Sequence, residues 1–290
     1  MLYRLSAFTD DPTGGNPAGV WLGDALPPDD EMQRIAAEVG YSETAFVAPV
    51  VPNDGSPRDD SSRSHVVRYY SPRAEVPFCG HATVATGVQL GRLFGDGVYR
   101  LVTRVGEVPV DVDTVGDRRR AALTSVDPRH EPAPDALLDA TLAALGWSRD
   151  ELEPSIAPAR AFAGAWHLVL ATRDAARLAD LRYDFDALEA LMRADDLTTL
   201  QLIWRESDEV VHSRNPFPVG GVVEDPATGA AAAALGGYLR DAGLLAAPVR
   251  FVIRQGEAMG RPSRLEVDVP AHGGIVVRGT AVPIETPSGP

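Results

Sequence analysis

The sequence predicts an α+β protein of two similar lobes, and three observations point there. Strand-like segments outnumber helix-like ones, and the two kinds do not alternate regularly as they do in a Rossmann sheet. Twice, an apolar segment ends in a glycine-containing turn that opens a helix of small residues: Cys79-Gly80-His81-Ala82-Thr83, and Asp225-Pro226-Ala227-Thr228-Gly229. The second helix carries "AAAAALGG", which has no polar face over two turns, so protein must surround it. A buried helix inside a curved sheet, occurring twice, makes two lobes.

The elements follow in order. "LYRLSAF" alternates as a half-buried strand, the turn residues of "TDDPTGGNPAG" follow, and "VWL" is a second strand. "DDEMQRIAAEVG" is a helix, with acids in its first turn, Met32, Ile35, Ala36 and Val39 at helical spacing, and Gly40 as its stop. "ETAFVAPV" and "HVVRYYS" are strands joined by "VPNDGSPRDDSSRS", an expected exposed, mobile loop. A helix runs from about His81 to Leu93, and "YRLVTRVGEVPVDVD" is a hairpin turning at Gly106. The polar region 114–133 is expected to cross from one lobe to the other. "PDALLDATLAALG" and "RDAARLADLRYDFDALEALMRADD" are helical; "LTTLQLIWRE" and "EVVHSR" are strands. After the second glycine turn and its helix, three strands close the chain: "VRFVIRQG", "SRLEVDV" and "GIVVRGTAV".

Bulk properties remove several classes of function. With 27 basic against 41 acidic residues the net charge is −14, which argues against nucleic acid as a partner. One cysteine excludes an intramolecular disulfide framework and any mechanism that needs two thiols in one chain. The start of the chain does not read as a signal peptide, and no apolar run approaches the roughly 20 residues of a membrane span. A cytoplasmic protein is expected. Neither a phosphate loop, a strand-placed G-x-G-x-x-G nor a G-x-S-x-G elbow is present, which disfavours nucleotide cofactors and serine hydrolysis.

The two turns hold the candidate chemistry. Helix N-termini offer unpaired N–H groups and partial positive charge, and glycine lets an anion approach the backbone. Two such termini would grip a small carboxylate or stabilise a developing enolate-type charge; alternatively Gly80, Thr228 and Gly229 serve only the tight turns. Glu43, beside Ser42 and flanked by Tyr41, Ala45 and Phe46, is either a partly desolvated proton-transfer group or a surface acid at a strand end. Glu75 carries the same two readings and could also cap or pair locally. His81 could donate to a substrate oxygen or relay a proton, or be a structural hydrogen-bonder. Asp225, held by Pro226, reads as an N-cap, and its neighbour Glu224 makes an acid pair that could split two pKa values. Cys79 is an activated thiol or an ordinary small core residue. His65, His130, His167, His212 and His272 show no ligand spacing, so no metal site is expected.

Five segments in this order, "FTDDPTGGNPAGVWL", "YSETAFV", "YYSPRAEVPFCGHATVATG", "VVEDPATGAAAAALGGYL" and "IRQGEAMGRPSRLEV", are very specific together. They resemble the phenazine-biosynthesis isomerase (PhzF-like) family, of the diaminopimelate-epimerase-like fold, over nearly the whole chain. The resemblance implies two pseudo-symmetric lobes, each a β-barrel-like sheet around a central helix. Residues 1–116 with 275–290 would form the first lobe and 117–274 the second, with the active site in the cleft. It also implies a homodimer and no cofactor. It places the acid/base on Glu43, and His81 and Asp225 on holding or polarising the substrate, with Ser42, Cys79, Gly80, Thr228 and Gly229 around them. Related epimerases use two cysteines; here Cys79 stands near the first position and the second falls at Asp225-Pro226, so two-thiol racemisation is excluded and Cys79 is an unused neighbour. "SRNPFPVGG" departs from the family's more frequent Phe-Ala order, a change expected to reshape the pocket wall.

The expected function is proton transfer on a small cyclic or amino acid-like carboxylate by a cofactor-independent isomerase, resembling trans-2,3-dihydro-3-hydroxyanthranilate isomerase. The alternatives are a lyase or cyclase tailoring enzyme of secondary metabolism with the same acid/base, and a non-catalytic binding protein that retains the fold.

Overall fold

The computed structural model describes residues 1–50 and 63–285. The loop expected at 51–64 therefore lies, as far as residue 62, outside the described residues. The chain divides into two compact units, Met1–Leu123 with Arg278–Pro290, and Thr124–Val277.

The first unit contains β1 (Leu2–Ala7), β2 (Asn16–Leu22), α1 (Asp29–Val39), β3 (Glu43–Pro49), β4 (Ser64–Tyr70), β5 (Glu75–Val76), α2 (Gly80–Phe94), β6 (Gly97–Thr103), β7 (Gly106–Val115) and β8 (Arg118–Thr124). It also takes nearly all of the last strand of the chain, β18 (Val276–Pro283). Eight of these strands close into a barrel in the order β1-β2-β3-β4-β6-β7-β8-β18, with β18 returning to pair antiparallel with β1. The small strand β5 pairs with β4 outside this ring.

Two segments differ from expectation here. The strand expected at "VWL" starts at Asn16, because Asn16 to Gly19 pair with β1 while β2 lies parallel to β3. Gly19 permits that approach: a Cβ there would sit 2.5 Å from Thr44 Oγ1. Turn composition yields to strand pairing when the segment is buried. The polar stretch 114–133 carries the chain from the first unit to the second at Leu123–Thr124, but as strand for much of its length, with Arg118 to Leu123 paired to Val115 to Val110 of β7.

The helix α2 is buried continuously from His81 to Gly91 and packs against β1, β2, β3 and β7. Its small residues make that possible. A Cβ on Gly87 would meet Val110 Cγ1 at 2.6 Å and Ala121 Cβ at 2.9 Å. On the outside of the unit, α1 ends at Gly40 (φ 72°), whose N–H donates to Ala36 O, and lays Met32 and Ala36 on Phe46 and Tyr70.

The second unit contains β9 (Arg129–Pro132), α3 (Asp135–Leu145), β10 (Ala159–Phe162), β11 (Trp166–Ala171), α4 (Ala175–Ala179), α5 (Phe185–Ala194), β12 (Leu197–Arg205), β13 (Val210–Arg214), β14 (Pro216–Phe217), β15 (Val222–Glu224), α6 (Gly229–Asp241), β16 (Val249–Gln255) and β17 (Ser263–Val269). Seven of its strands run in the order β17-β16-β13-β12-β11-β10-β9, and β14 pairs only with β15. One side of this sheet carries α6, buried from Ala231 to Leu239 as its composition demands. A second core forms where Leu137, Leu138, Leu142 and Leu145 of α3 meet Leu188 and Met192 of α5 and the β11 and β12 leucines. The long helical run expected at 173–196 is two helices. Asp174 and Asp184 each accept a backbone N–H, from Arg177 at 2.8 Å and Ala187 at 3.0 Å, and so start α4 and α5 separately.

Glu75 belongs to the fold. It accepts from Arg68 at 2.6 Å and from Arg104 at 3.1 Å, while Arg68 also reaches Asp29 at 2.6 Å. The Arg68 hydrogen bonds, with smaller help from Arg104, hold the Glu75 carboxyl down at about 2 against an ordinary 4.5. A depressed folded-state pKa gives stability that is present above the unfolded value and lost as the group protonates. Glu75→Gln is therefore expected to be less stable than wild type at pH 7. Urea melts across pH should show that difference shrinking below about pH 4.5 and closing near pH 2. In the barrel, Gly87→Val should cost about 1–3 kcal/mol by overpacking, read as a lower denaturation midpoint; an unchanged midpoint would mean that α2 does not fit its wall this tightly.

Candidate active site

Three of the expected residues meet at the start of α2. Glu43 is the first residue of β3, delivered there by the left-handed stop of α1 at Gly40 and the short bend through Ser42. Cys79 is the N-cap of α2 in extended geometry (φ −145°), and His81 is the second residue of the helix. Cys79 Sγ lies 3.5 Å from Glu43 Oε2 and 3.4 Å from His81 Nδ1. His81 Nε2 lies 3.4 Å from Glu43 Oε2, 3.3 Å from Ser42 Oγ and 3.8 Å from Cys79 Sγ. Cys79 and His81 are buried, and the Glu43 side chain is 18% exposed. Among the described residues Glu43 faces this thiol and imidazole, with no arginine partner. That separates it from Glu75, which two arginines neutralise.

The backbone under the triad is locked from behind. Thr83 Oγ1 donates to the Cys79 carbonyl at 2.6 Å, and it lies 2.6 Å from Tyr69 OH. Because the Thr83 hydrogen is committed to Cys79, the tyrosine must be the donor. Burial pushes the Tyr69 phenol well above its ordinary range, so it stays protonated and able to donate. The first turn of α2 holds no acid, so no residue of the helix itself neutralises its positive end beside Cys79 and His81. Gly80 is not required by its turn: its φ is not positive, and an added Cβ would meet nothing within 4 Å. Its missing side chain keeps the backbone open.

The second turn is built differently. Thr228, not Asp225, is the N-cap of α6, which corrects the expectation for Asp225. Thr228 makes no side-chain cap bond; its hydroxyl donates instead to Asp225 Oδ2 at 2.6 Å. Gln255, at the end of β16, closes the turn. Its amide donates to Asp225 O at 2.7 Å and Thr228 Oγ1 at 3.1 Å, and its carbonyl oxygen accepts from Thr228 N at 3.2 Å. Gly229 is the first helical residue behind them. The acid pair expected from Glu224 and Asp225 is not one, because buried Glu224 forms a bidentate ion pair with Arg214.

Gln255 is the residue that reading the sequence missed. It sits in the quoted "IRQGEAMG", yet a glutamine at a strand end carries no signal of its own; only the fold brings it 27 positions back to Thr228. Buried His167 is structural. It lies 2.9 Å from Thr199 Oγ1, and burial drives its pKa down to about 3, so it is neutral. A polar recess lined by Asp10, Arg92, Arg118 and Arg119 shares no residue with the triad, and Arg118 and Arg119 are paired there with Asp10 and Asp96.

Among the described residues no helix is long and apolar enough to cross a membrane. Residues 5–286 match the family model described as phenazine biosynthesis-like protein, PhzC-PhzF. The chain is 31% identical over 300 residues to an uncharacterized isomerase, YfhB, of Bacillus subtilis, covering 98% of this chain and 97% of that one. In structure it resembles a phenazine biosynthesis protein of the PhzF family from Bacillus anthracis, with a TM-score of 0.82 at 23% identity over 98% and 96% of the two chains. It resembles a probable proline racemase from Agrobacterium radiobacter with a TM-score of 0.63 at 12% identity, over 100% and 93%. At those identities the two structures speak for the fold alone, a mixed α/β fold that this chain shares with racemases. The family match and the sequence relative carry the class, and the chain belongs to the phenazine biosynthesis-like PhzC-PhzF family and is an isomerase.

Proposed function

We propose that this isomerase moves a proton on a small cyclic or amino acid-like carboxylate, without a cofactor, and that Glu43 is its acid/base. The observation that supports the reading most is the placement of Glu43. It is a half-buried carboxylate with no arginine partner among the described residues, beside an imidazole and a thiol, at the positive end of a buried helix.

In this reading the Glu43 carboxylate takes a proton from a substrate carbon and becomes a carboxylic acid. The bonding electrons pass toward the substrate's conjugated system, and the first-turn N–H groups of α2 and His81 steady the negative charge. Glu43 then returns the proton to a different carbon, which regenerates the carboxylate. One group performs both steps if the substrate stays in place. A second thiol base is excluded by composition, since Cys79 is the chain's one cysteine. Asp225, Thr228 and Gly229 are assigned to holding the substrate's polar groups, with Gln255 fixing their turn. A substrate like trans-2,3-dihydro-3-hydroxyanthranilate, pseudo-symmetric lobes each with a central helix, and a homodimer complete the reading.

The test is a time course by proton NMR in deuterium oxide with trans-2,3-dihydro-3-hydroxyanthranilate and a panel of cyclic and amino-acid carboxylates. Wild type should incorporate deuterium and isomerise one of them, and Glu43→Gln should be slower by about 10²-fold or more. Equal rates in the two proteins would remove Glu43 from the mechanism.

Gly80→Ala separates a functional turn from a structural one. Because the added methyl meets open space at the first helical position, stability should hold or rise by up to about 1 kcal/mol. Turnover should nevertheless fall at least several-fold as the methyl covers the backbone. Full activity would return Gly80 to a purely structural role. Gln255→Ala should raise KM more than it lowers kcat; an unchanged KM would detach the Asp225 turn from binding.

A further inference from the structure

We propose that Glu43, Cys79 and His81 also form a binding site for a tetrahedral divalent metal ion, zinc(II) by preference, and that its occupation silences the acid/base. These are the one group among the described residues in which three ligand atoms of histidine, cysteine and carboxylate type lie within 4.8 Å of one another. Two of the three separations suit the ion. Zinc bonds of about 2.0–2.3 Å to oxygen, nitrogen and sulfur, set at tetrahedral angles, place neighbouring donors roughly 3.3–3.6 Å apart. Here Oε2 to Sγ is 3.5 Å and Nε2 to Oε2 is 3.4 Å, both within that range, whereas Sγ lies 3.8 Å from Nε2 and 3.4 Å from Nδ1, so the His81 ring must turn to aim Nε2 at the ion. Three protein ligands leave the fourth position open to water or substrate.

The donor set selects the metal. Thiolate and imidazole favour zinc and its neighbours, whereas magnesium and calcium demand oxygen throughout. Coordination sends the Cys79 thiol proton to solvent. Thiolate, carboxylate and neutral imidazole around a doubly charged ion then sum to zero, which suits a site whose cysteine and histidine are buried. The Thr83 bond to the Cys79 carbonyl holds the backbone of that ligand in place. The sequence had no motif for this site, because 36 residues separate Glu43 from Cys79. Binding follows from the donors alone; silencing rests on the function proposed above.

The test uses the reduced full chain after chelator treatment, titrated with cobalt(II) and then zinc(II). One equivalent of cobalt should give intense tetrahedral visible bands and a near-ultraviolet thiolate charge-transfer band, both displaced by zinc. Cys79→Ser should abolish the charge-transfer band, and both it and Glu43→Gln should weaken zinc binding at least about tenfold. His212→Ala, which removes an exposed cluster with Glu206 and Glu257, should change neither. Weak octahedral bands without charge transfer, or zinc bound equally by Cys79→Ser and Glu43→Gln, would overturn the site. Should Cys79→Ser not fold, the wild-type spectrum and Glu43→Gln decide. Stoichiometric zinc should also stop deuterium exchange by wild type; exchange that continues at full rate with zinc bound overturns the silencing. Metal-free protein whose exchange ignores Glu43 sinks the proposed function and leaves the metal site standing.

Discussion

The fit of α2 against the barrel wall is the constraint on which the first turn depends. The helix meets β7 and β8 through Gly87, where any side chain would collide with Val110 or Ala121. That contact sets where the helix begins, and the helix start sets the positions of Cys79 and His81. Tyr99 completes the fit from β6 by donating to Leu90 O and Gly95 O at the other end of the helix. The helix thus has its ends tied while its first turn stays open.

The two glycine turns share a layout but solve different problems. At α2 the turn is held from behind, through Tyr69 and Thr83, so the side chains of Cys79 and His81 remain directed at Glu43. At α6 the turn is held by a buried glutamine, and the N-cap hydroxyl is spent on Asp225. A buried amide that satisfies three partners resists movement, because breaking any one bond strands a polar group in the interior. The same reasoning covers the neighbouring network, where Asn215 bonds to Gln201, Thr199 and Ser213 and its carbonyl receives Asp225 N–H.

Arginine sorts the acids of this strongly negative chain. Glu75 and Glu224 stand close in sequence to the two turns and read as candidate acids, yet each is bound by arginine and serves packing. A carboxylate so paired has little tendency to take up a proton near neutrality, as the depressed Glu75 value shows. Among the described residues Glu43 has no arginine partner. Its partners are a thiol and an imidazole, groups that exchange protons themselves.

By itself the sequence determined what periodicity and composition control. Those were the strands that flank each turn, the start of α1 and its stop at Gly40, and the burial of "AAAAALGG", since a helix with no polar face cannot meet water. Local order marked Glu43, Cys79 and His81 as candidates with two readings each, and the resemblance of five ordered segments to a known family assigned roles to Glu43 and His81. Only the tertiary structure decided that these three touch, that Asn16–Gly19 is strand and not turn, and that Thr228, braced by Gln255, caps α6 in place of Asp225. It also decided which acids are neutralised, as with Arg214 on Glu224 and Arg104 on Glu75. The reason is range. Hydrophobic period and turn chemistry act over a few residues, whereas hydrogen bonds and ion pairs depend on distances that exist only after strands far apart in sequence have paired.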